Sequence, residues 1–373
     1  WSLLIPAVGI GFAVQNPDTP YWLFLLLALT CGFGGGNFAS SMANISFFFP
    51  KAEKGNALAL NAGLGNLGVS VVQFVVPLVI TAGVFGWLGG DPVIVVEAGR
   101  EVPLWLQNAG FVWVPFIIAS AFAAWFGMND LATARASFAE QSVIFQRKQN
   151  WIMCWLYTGT FGSFIGYSAG FPLLAKTQFP DIDVLPYVFL GPLIGSLSRV
   201  SAGWVSDRYG GGRVTLWVFI AMALGVLGVL YFLNTGSFAG FFAMFMFLFF
   251  ASGVGNASTF QMIPAIMRKE MDRLMPGATA AERLRQAEKE SAAIIGFTSA
   301  VAAYGAFFIP KGYGTSIALT GGPQAALVIF LLFYVTCIAI TWAVYTRPGG
   351  LLYDIERGGG PAPPKKAAVQ PAE

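Results

Sequence analysis

The chain has 373 residues, 56% of them apolar and only 10% charged, with 21 Lys and Arg against 18 Asp and Glu for a net charge of +3. A soluble domain carries about 25% charged residues, so this composition excludes an ordinary soluble fold and points to an integral membrane protein. The small net charge argues for neither nucleic acid nor acidic partners, and the absence of histidine removes the commonest general base and metal ligand.

Ten apolar segments are predicted to cross a ~30 Å hydrocarbon core as helices. They fall at about 1–15, 21–49, 56–84, 111–129, 151–174, 185–206, 213–234, 237–265, 291–317 and 324–346. The first, "WSLLIPAVGIGFAVQ", has no initiator Met and no charged leader, and it is wrongly flanked for a signal peptide. It reads as most of a helix whose start has been cut off. The connections at 85–110, 130–150 and 266–290 are the longer ones, and the last is expected to be a solvated, charge-balanced helix. The tail over 347–373, rich in Gly, Pro and Ala, has no core to join and is expected to be disordered. Cys31, Cys154 and Cys337 lie far apart in apolar segments, which is neither a disulfide framework nor a metal cluster. No metal or cofactor is expected.

Loop charge sets the orientation. The connections at 50–55, 130–150, 207–213 and 266–290, with the tail, hold 17 of the 21 Lys and Arg, and the opposite set holds only Arg100, Lys176 and Lys311. The positive-inside rule then places the first set and the C-terminus in the cytoplasm. All 18 Asp and Glu fall in connections, at their edges or in the tail. A weak internal repeat relates "GLGNLGVSVVQFVVP" (63–77) to "GFTSAVAAYGAFFIP" (296–310), and "GNFAS" (36–40) to "GNAS" (255–258). Small-residue runs serve close helix packing, and repeats in matching halves are how transporter folds are built.

The twenty-first basic residue is Arg199, inside the 185–206 segment. It stands eight residues before Asp207, about 12 Å from the loop and near the bilayer middle. An arginine there costs at least about 2.5–3.5 kcal/mol on insertion scales. Snorkelling or a bond to backbone carbonyls is the structural alternative. An anion site accounts better for a cation with no carboxylate in any segment to neutralise it. Tyr157 and Phe161, at i and i+4, share one helix face and suit either packing or a sandwich around a flat ion.

Gly203, Asp207, Arg208, Gly210 and Arg213 resemble the cytoplasmic loop signature of the major facilitator superfamily, G-x-x-x-D-R-x-G-R-[RK], with one extra residue before the last Arg. An Asp and basic residues at helix ends can pair across such a turn as a latch, and Gly lets it close. "NFASSMANISFFFPK", "NAGLGNLGVSVVQ", "AAWFGMNDLATARAS", "TFGSFIGYSAGF", "STFQMI", "FFIPK" and "ITWAVYTR" carry a more specific likeness. Over residues 1 to about 347 the chain resembles the nitrate/nitrite porter family, NarK type. The resemblance implies an all-α membrane protein of the major facilitator fold with ten of twelve transmembrane helices present. An N-terminal half (1–129) would lack its first two spans. A cytoplasmic linker (130–150), a six-helix half (151–346) and a cytoplasmic tail (347–373) would follow.

In that family one arginine on the second span and one on the eighth clamp the anion. Arg199 matches the second of these, and the first would precede residue 1. Tyr157, Phe161, Phe38 and Asn66 match positions lining the substrate site. Gly63, Gly65, Gly68, Gly296 and Gly305 match signature glycines that let helices slide as the halves rock. Ala302, Ala306 and Ala62 depart from the glycine pattern. The implied protein is a monomer in the bacterial inner membrane, C-terminus inside, moving nitrate and nitrite with no enzymatic activity. A proton symporter needs an intramembrane Asp, Glu or His, and these segments hold none, so exchange of nitrate for nitrite is the expected mode. Proton-coupled import, another small anion, or a non-transporting sensor are the alternatives.

Overall fold

The computed structural model describes residues 1–49, 51–97, 100–129, 137–350 and 352–353. Helices follow the apolar segments in order. First come α1 (Leu4–Ala13), α2 (Tyr21–Thr30), α3 (Gly32–Phe48) and α4 (Lys51–Val79). The connection at 85–110 then folds as an antiparallel hairpin, β1 (Val93–Glu97) paired with β2 (Arg100–Leu104) in the register Val95 opposite Val102. Its β-branched run favours strand, a local departure from helix that the sequence reading had not placed. After it come α5 (Asn108–Phe111) and α6 (Val114–Gly127). The side chain of Asn108 donates to the carbonyls of Val79 and Ala82 at 2.9 Å each, satisfying the end of α4 and holding the connection against it.

The second half runs through α7 (Phe138–Ser142), α8 (Lys148–Tyr157), α9 (Ser163–Gln178), α10 (Leu190–Ser201) and α11 (Gly203–Tyr209). It continues with α12 (Gly211–Asn234), α13 (Phe238–Leu274), α14 (Ala280–Ala303), α15 (Gly305–Thr320) and α16 (Gln324–Thr341). Among the described residues seven helical stretches are long and apolar enough to cross a membrane. An eighth is added if α10 and α11, bent by 45°, form one span. The ten expected segments differ from these in two places. α1 has only ten residues. The α8–α9 helix, continuous through a π-helical turn at Thr158–Gly162, carries Thr158, Thr160, Ser163 and Ser168, which dilute its hydropathy. Those hydroxyls are bonded within the protein, Ser163 to Tyr334 at 2.7 Å and Thr160 to Thr259 at 3.1 Å. This helix therefore turns its polar groups to protein rather than lipid.

Close crossings organise the second half. A methyl added to Gly253 of α13 would overlap the Gly195 carbonyl and Ser198 of α10, and one on Gly191 would enter the Phe249 ring. Ser198 Oγ also donates to the Phe250 carbonyl of α13 at 3.1 Å. Small residues let backbones approach where lipid supplies no hydrophobic drive between helices. Around the crossing Phe164, Tyr167, Phe171, Phe241, Phe245 and Phe249 pack edge-to-face or tilted, all fully buried.

Three expectations at the basic end change. The 266–290 connection is not a separate solvated helix. α13 continues to Leu274, and α14 begins at Ala280 behind a capping box in which Thr279 and Glu282 bond reciprocally. Those bonds hold the Glu282 carboxyl below its ordinary range. Within these extensions Glu270 and Glu290 are buried. The linker is only partly a loop, since Arg147 reaches Glu290 with two bonds, Nε to Oε2 at 2.7 Å and Nη2 to Oε1 at 2.8 Å. Residues 130–136 lie outside the described residues. The start of the tail is packed, with Leu352 buried and its N–H bonded to the Val344 carbonyl at 3.1 Å. From 354 onward the tail lies outside the described residues.

The Arg147–Glu290 pair sets an expectation for stability. Removing Glu290 leaves Arg147 unpaired, but its side chain is 23% exposed, so the cost falls below the about 3–5 kcal/mol of a fully buried pair. Glu290→Ala should therefore lower the thermal unfolding midpoint in detergent by several degrees. Lys289→Ala, which breaks an exposed 3.0 Å pair with Glu140, should leave it unchanged. Equal shifts for the two variants would remove the linker clamp from the fold's stability.

Candidate functional site

Arg199 sits in the last turn of α10 and is only 2% exposed. The crossing at Gly195 and Gly253 fixes α10 against α13, and the guanidinium is thereby turned toward α8. Its Nη2 donates to the Tyr157 hydroxyl at 3.2 Å. Its Cζ lies 5.8 Å from the Phe161 ring centroid and 5.6 Å from that of Phe260 on α13. Snorkelling is thus ruled out: the charge is held inside, on aromatic faces whose quadrupoles favour a cation.

The π-helical turn at Thr158–Gly162 presents the box. Tyr157 and Phe161 stack with centroids 5.1 Å apart and planes 10° from parallel, the one-face placement expected from their spacing. π-Turns inside helices recur at functional sites. The Thr160–Thr259 hydroxyl pair ties this turn to α13 next to Phe260. From the first half, the half-buried Phe38 meets the Phe260 ring edge-on at 6.3 Å. Ser299 on α14 lies near the Tyr157 hydroxyl, its own Oγ donating to the Ile295 carbonyl at 2.7 Å.

None of the four ion pairs given for the described residues includes Arg199. Its Nη1 is buried with no hydrogen-bond partner. Asn66 of α4 likewise has an unpartnered Nδ2. Gly63 abuts Val200, and Ser70 bonds the Phe189 carbonyl, so Asn66 falls between these contacts, about level with Ser196. Ser196 Oγ is a third buried polar atom without a partner there. Two of the three are donors only and the third is a hydroxyl, so a ligand that suited all three would be an acceptor. An oxyanion supplies one.

The two halves also meet at the end remote from the 207–213 loop. Ser70 Oγ donates to the Phe189 carbonyl at 2.9 Å, Gln73 Nε2 to the Ser168 carbonyl at 2.8 Å, and the Phe74 and Phe189 rings lie 5.0 Å apart. At that end the two halves are in direct contact.

The sequence model of the Major Facilitator Superfamily matches residues 1–310. A nitrate/nitrite transporter, NarU, of Salmonella typhimurium is 51% identical over 92% of this chain and 75% of its own length. The chain belongs to the major facilitator superfamily, in its nitrate/nitrite porter family. A probable nitrate/nitrite antiporter, NarK2, of Thermus thermophilus is 43% identical over 93% of this porter and 76% of itself. Among solved structures, the transporter FucP in its outward conformation matches with a TM-score of 0.57 at 15% identity, over 91% of this porter and 80% of that chain. A bacterial homologue of Spinster, inward-facing and unoccupied, matches at 0.54 and 14%, over 91% and 81%. These two likenesses speak for the fold alone. The family model and the curated relatives, together with the apolar helices, make the porter a multi-pass membrane carrier rather than an enzyme.

The other residues singled out divide. Gly63 and Gly305 are tight: a methyl on Gly63 would meet Val200, and one on Gly305 the Gly162 carbonyl. Gly65 and Gly68 face open space with nothing within 4 Å, so close packing does not hold them in this conformation. Gly296 is half-buried in α14. In the expected latch Gly210 does make the turn, at φ 92°, and Gly203 starts α11. Asp207, however, forms no ion pair with Arg208 or any other described residue, and Arg208 instead lies over the Tyr209 ring at 5.7 Å. Arg213 begins α12's third position and is exposed.

Phe260 is the site residue the sequence reading missed. Its only sequence signal was its place in "STFQMI", because nothing in spacing brings α13 to α8. Asn256, one turn before Phe260, is fully buried with neither amide atom bonded. Phe260→Ala should open the box, hydrate the guanidinium and weaken anion binding about tenfold, in line with a desolvated cation–π contact and lost packing. Calorimetric titration with nitrate checks this, and unchanged affinity would place Phe260 outside the site.

Proposed function

We propose that the protein carries nitrate and nitrite across the bacterial inner membrane by alternating access, exchanging one for the other. The observation that carries this reading is Arg199: a permanent cation, buried among Tyr157, Phe161 and Phe260, with one Nη unpartnered and no carboxylate beside it. Nitrate and nitrite are planar, weakly hydrated monoanions whose oxygens fit the guanidinium fork. A dry aromatic pocket strengthens that attraction. The family's relatives bear nitrate/nitrite names, which agrees with this chemistry.

Exchange follows from electrostatics. An empty site holds an uncompensated buried charge, which resists closure of the halves around it, and a bound anion removes that resistance. The carrier then switches sides only when loaded. Ser70, Gln73 and Phe74 close one end, and their contacts to Ser168 and Phe189 must break for the site to open there. With the basic loops cytoplasmic, that closed end is the outer one and the C-terminus is inside. The protein works as a monomer, each chain holding its own site between its halves.

Proton-coupled import is the second reading, and Glu270 is the observation that favours it. It is buried, and its Oε2 has no partner. Glu290, its buried neighbour in charge, lies nine residues from Ser299 along α14, about 13 Å from the box, and is engaged by Arg147.

In proteoliposomes, nitrate uptake should require internal nitrite or nitrate and be indifferent to an imposed pH gradient. Uptake driven by a proton gradient into anion-free vesicles, and abolished in Glu270→Gln, would establish the second reading instead. Arg199→Lys keeps the charge and loses the fork. Since hydrogen bonds to charged groups contribute about 1.5–3 kcal/mol, exchange should fall at least tenfold, with membrane insertion intact by fractionation. Near-normal exchange would take Arg199 out of the substrate site.

A further inference from the structure

A second polar cluster lies at the basic end, about two turns of α8 away from the Arg199 box. Tyr157 meets Phe260 and Phe171 meets Phe245, with ring centroids 5.9 and 4.9 Å apart, so the α8–α9 helix and α13 run antiparallel. Asn150 precedes Tyr157 by seven residues, about two turns, and shares its face toward α13. Glu270 follows Thr259 by eleven residues, about three turns, and so lies on the face of α13 that Thr259 turns to Thr160. The two side chains thus come within about one turn of the same level between the helices. The buried Tyr345, in the helical turn after α16, joins them. Its hydroxyl donates to Gln149 Oε1 at 2.7 Å and lies within range of the Glu270 charge.

Four polar atoms of this cluster have no protein partner: Gln149 Nε2, Asn150 Nδ2, Asn150 Oδ1 and Glu270 Oε2. All three residues are more than nine-tenths buried. The neighbouring cations do not complete them. Arg147 gives its two bonds to Glu290, and Arg273 reaches only Glu270 Oε1, at 3.5 Å. Buried polar atoms left unbonded are costly. Two of the four donate and two accept, so an anion or a cation would suit only half of them. Water both donates and accepts. We infer that ordered water bridges Gln149 and Asn150 of α8 to Glu270 of α13. A buried water makes about 3 hydrogen bonds, which these atoms supply. The Arg273 side chain at the edge of the cluster is 58% exposed, so water has a way in. The bridge ties α8, which carries Tyr157, to α13, which carries Phe260. It stands beside the Arg147–Glu290 pair and gives Glu270 hydrogen-bonded surroundings that need no proton transfer to the Arg199 box.

Radiolytic hydroxyl-radical footprinting of the purified full chain in detergent tests this, since the radicals form wherever water is held. Met153 is buried with its sulfur 3.8 Å from the Tyr345 hydroxyl. It should oxidise about fivefold faster than Met222, which is fully buried in the apolar core. Asn150→Leu removes two of the four free atoms and should bring Met153 down to the rate of Met222. Leu332→Ala, at an exposed position on α16, should label as the parent does. Equal rates for Met153 and Met222 in the parent, or fast oxidation of Met153 that survives Asn150→Leu, would each overturn the proposal. So would rapid amide hydrogen exchange over Lys148–Tyr157 alongside fast oxidation, since it would assign the label to local opening of α8. Should Asn150→Leu not fold, the comparison of Met153 with Met222 in the parent, read with the exchange data, still decides. None of these readouts depends on which anion is carried.

Discussion

A guanidinium that cannot lose its proton is held inside this protein with no carboxylate to neutralise it. Burying an uncompensated charge is among the most costly things a fold can do, and here the cost is offset only in part, by one hydrogen bond to Tyr157 and the faces of Phe161 and Phe260. The structure around Arg199 holds that arrangement rigidly, as the proposed anion site requires.

Rigidity comes from glycine. Where α10 crosses α13, Gly195 and Gly253 leave no room for a methyl, and Gly305 leaves none against Gly162 on the α8–α9 helix. These approaches set the depth and rotation of Arg199 and of the π-helical turn that carries Phe161. A larger residue at any of them would move the box by more than a hydrogen bond tolerates. The glycines of α4 behave differently. Gly63 is tight against Val200, whereas Gly65 and Gly68 face space. This mixture suits a helix that is fixed at one level and free to pass a neighbour at another.

Charge elsewhere is managed by pairing at the basic end. Arg147 of the linker region closes on the buried Glu290, and Lys269 holds the Tyr353 carbonyl at 2.7 Å. The linker and the start of the tail are thereby fastened to α13 and α14, so the second half is a larger body than its apolar helices alone.

Much of this was legible in the chain itself. The apolar segments determined a multi-pass membrane protein and singled out Arg199 as the candidate for an anion site, because hydropathy and charge are properties of residues wherever they lie. The i, i+4 spacing of Tyr157 and Phe161 likewise sufficed for their stack, since one helix sets it. Only the tertiary structure decided that Phe260 packs beside Arg199 and that Ser70 and Gln73 bond across to the second half. It also buried Glu270 and Glu290 rather than solvating them, and left Asp207 unpaired within the described residues. Each of these is settled between segments far apart in sequence, by how closely helices cross and how they are rotated. Periodicity within one helix carries no information about the rotation of its neighbour.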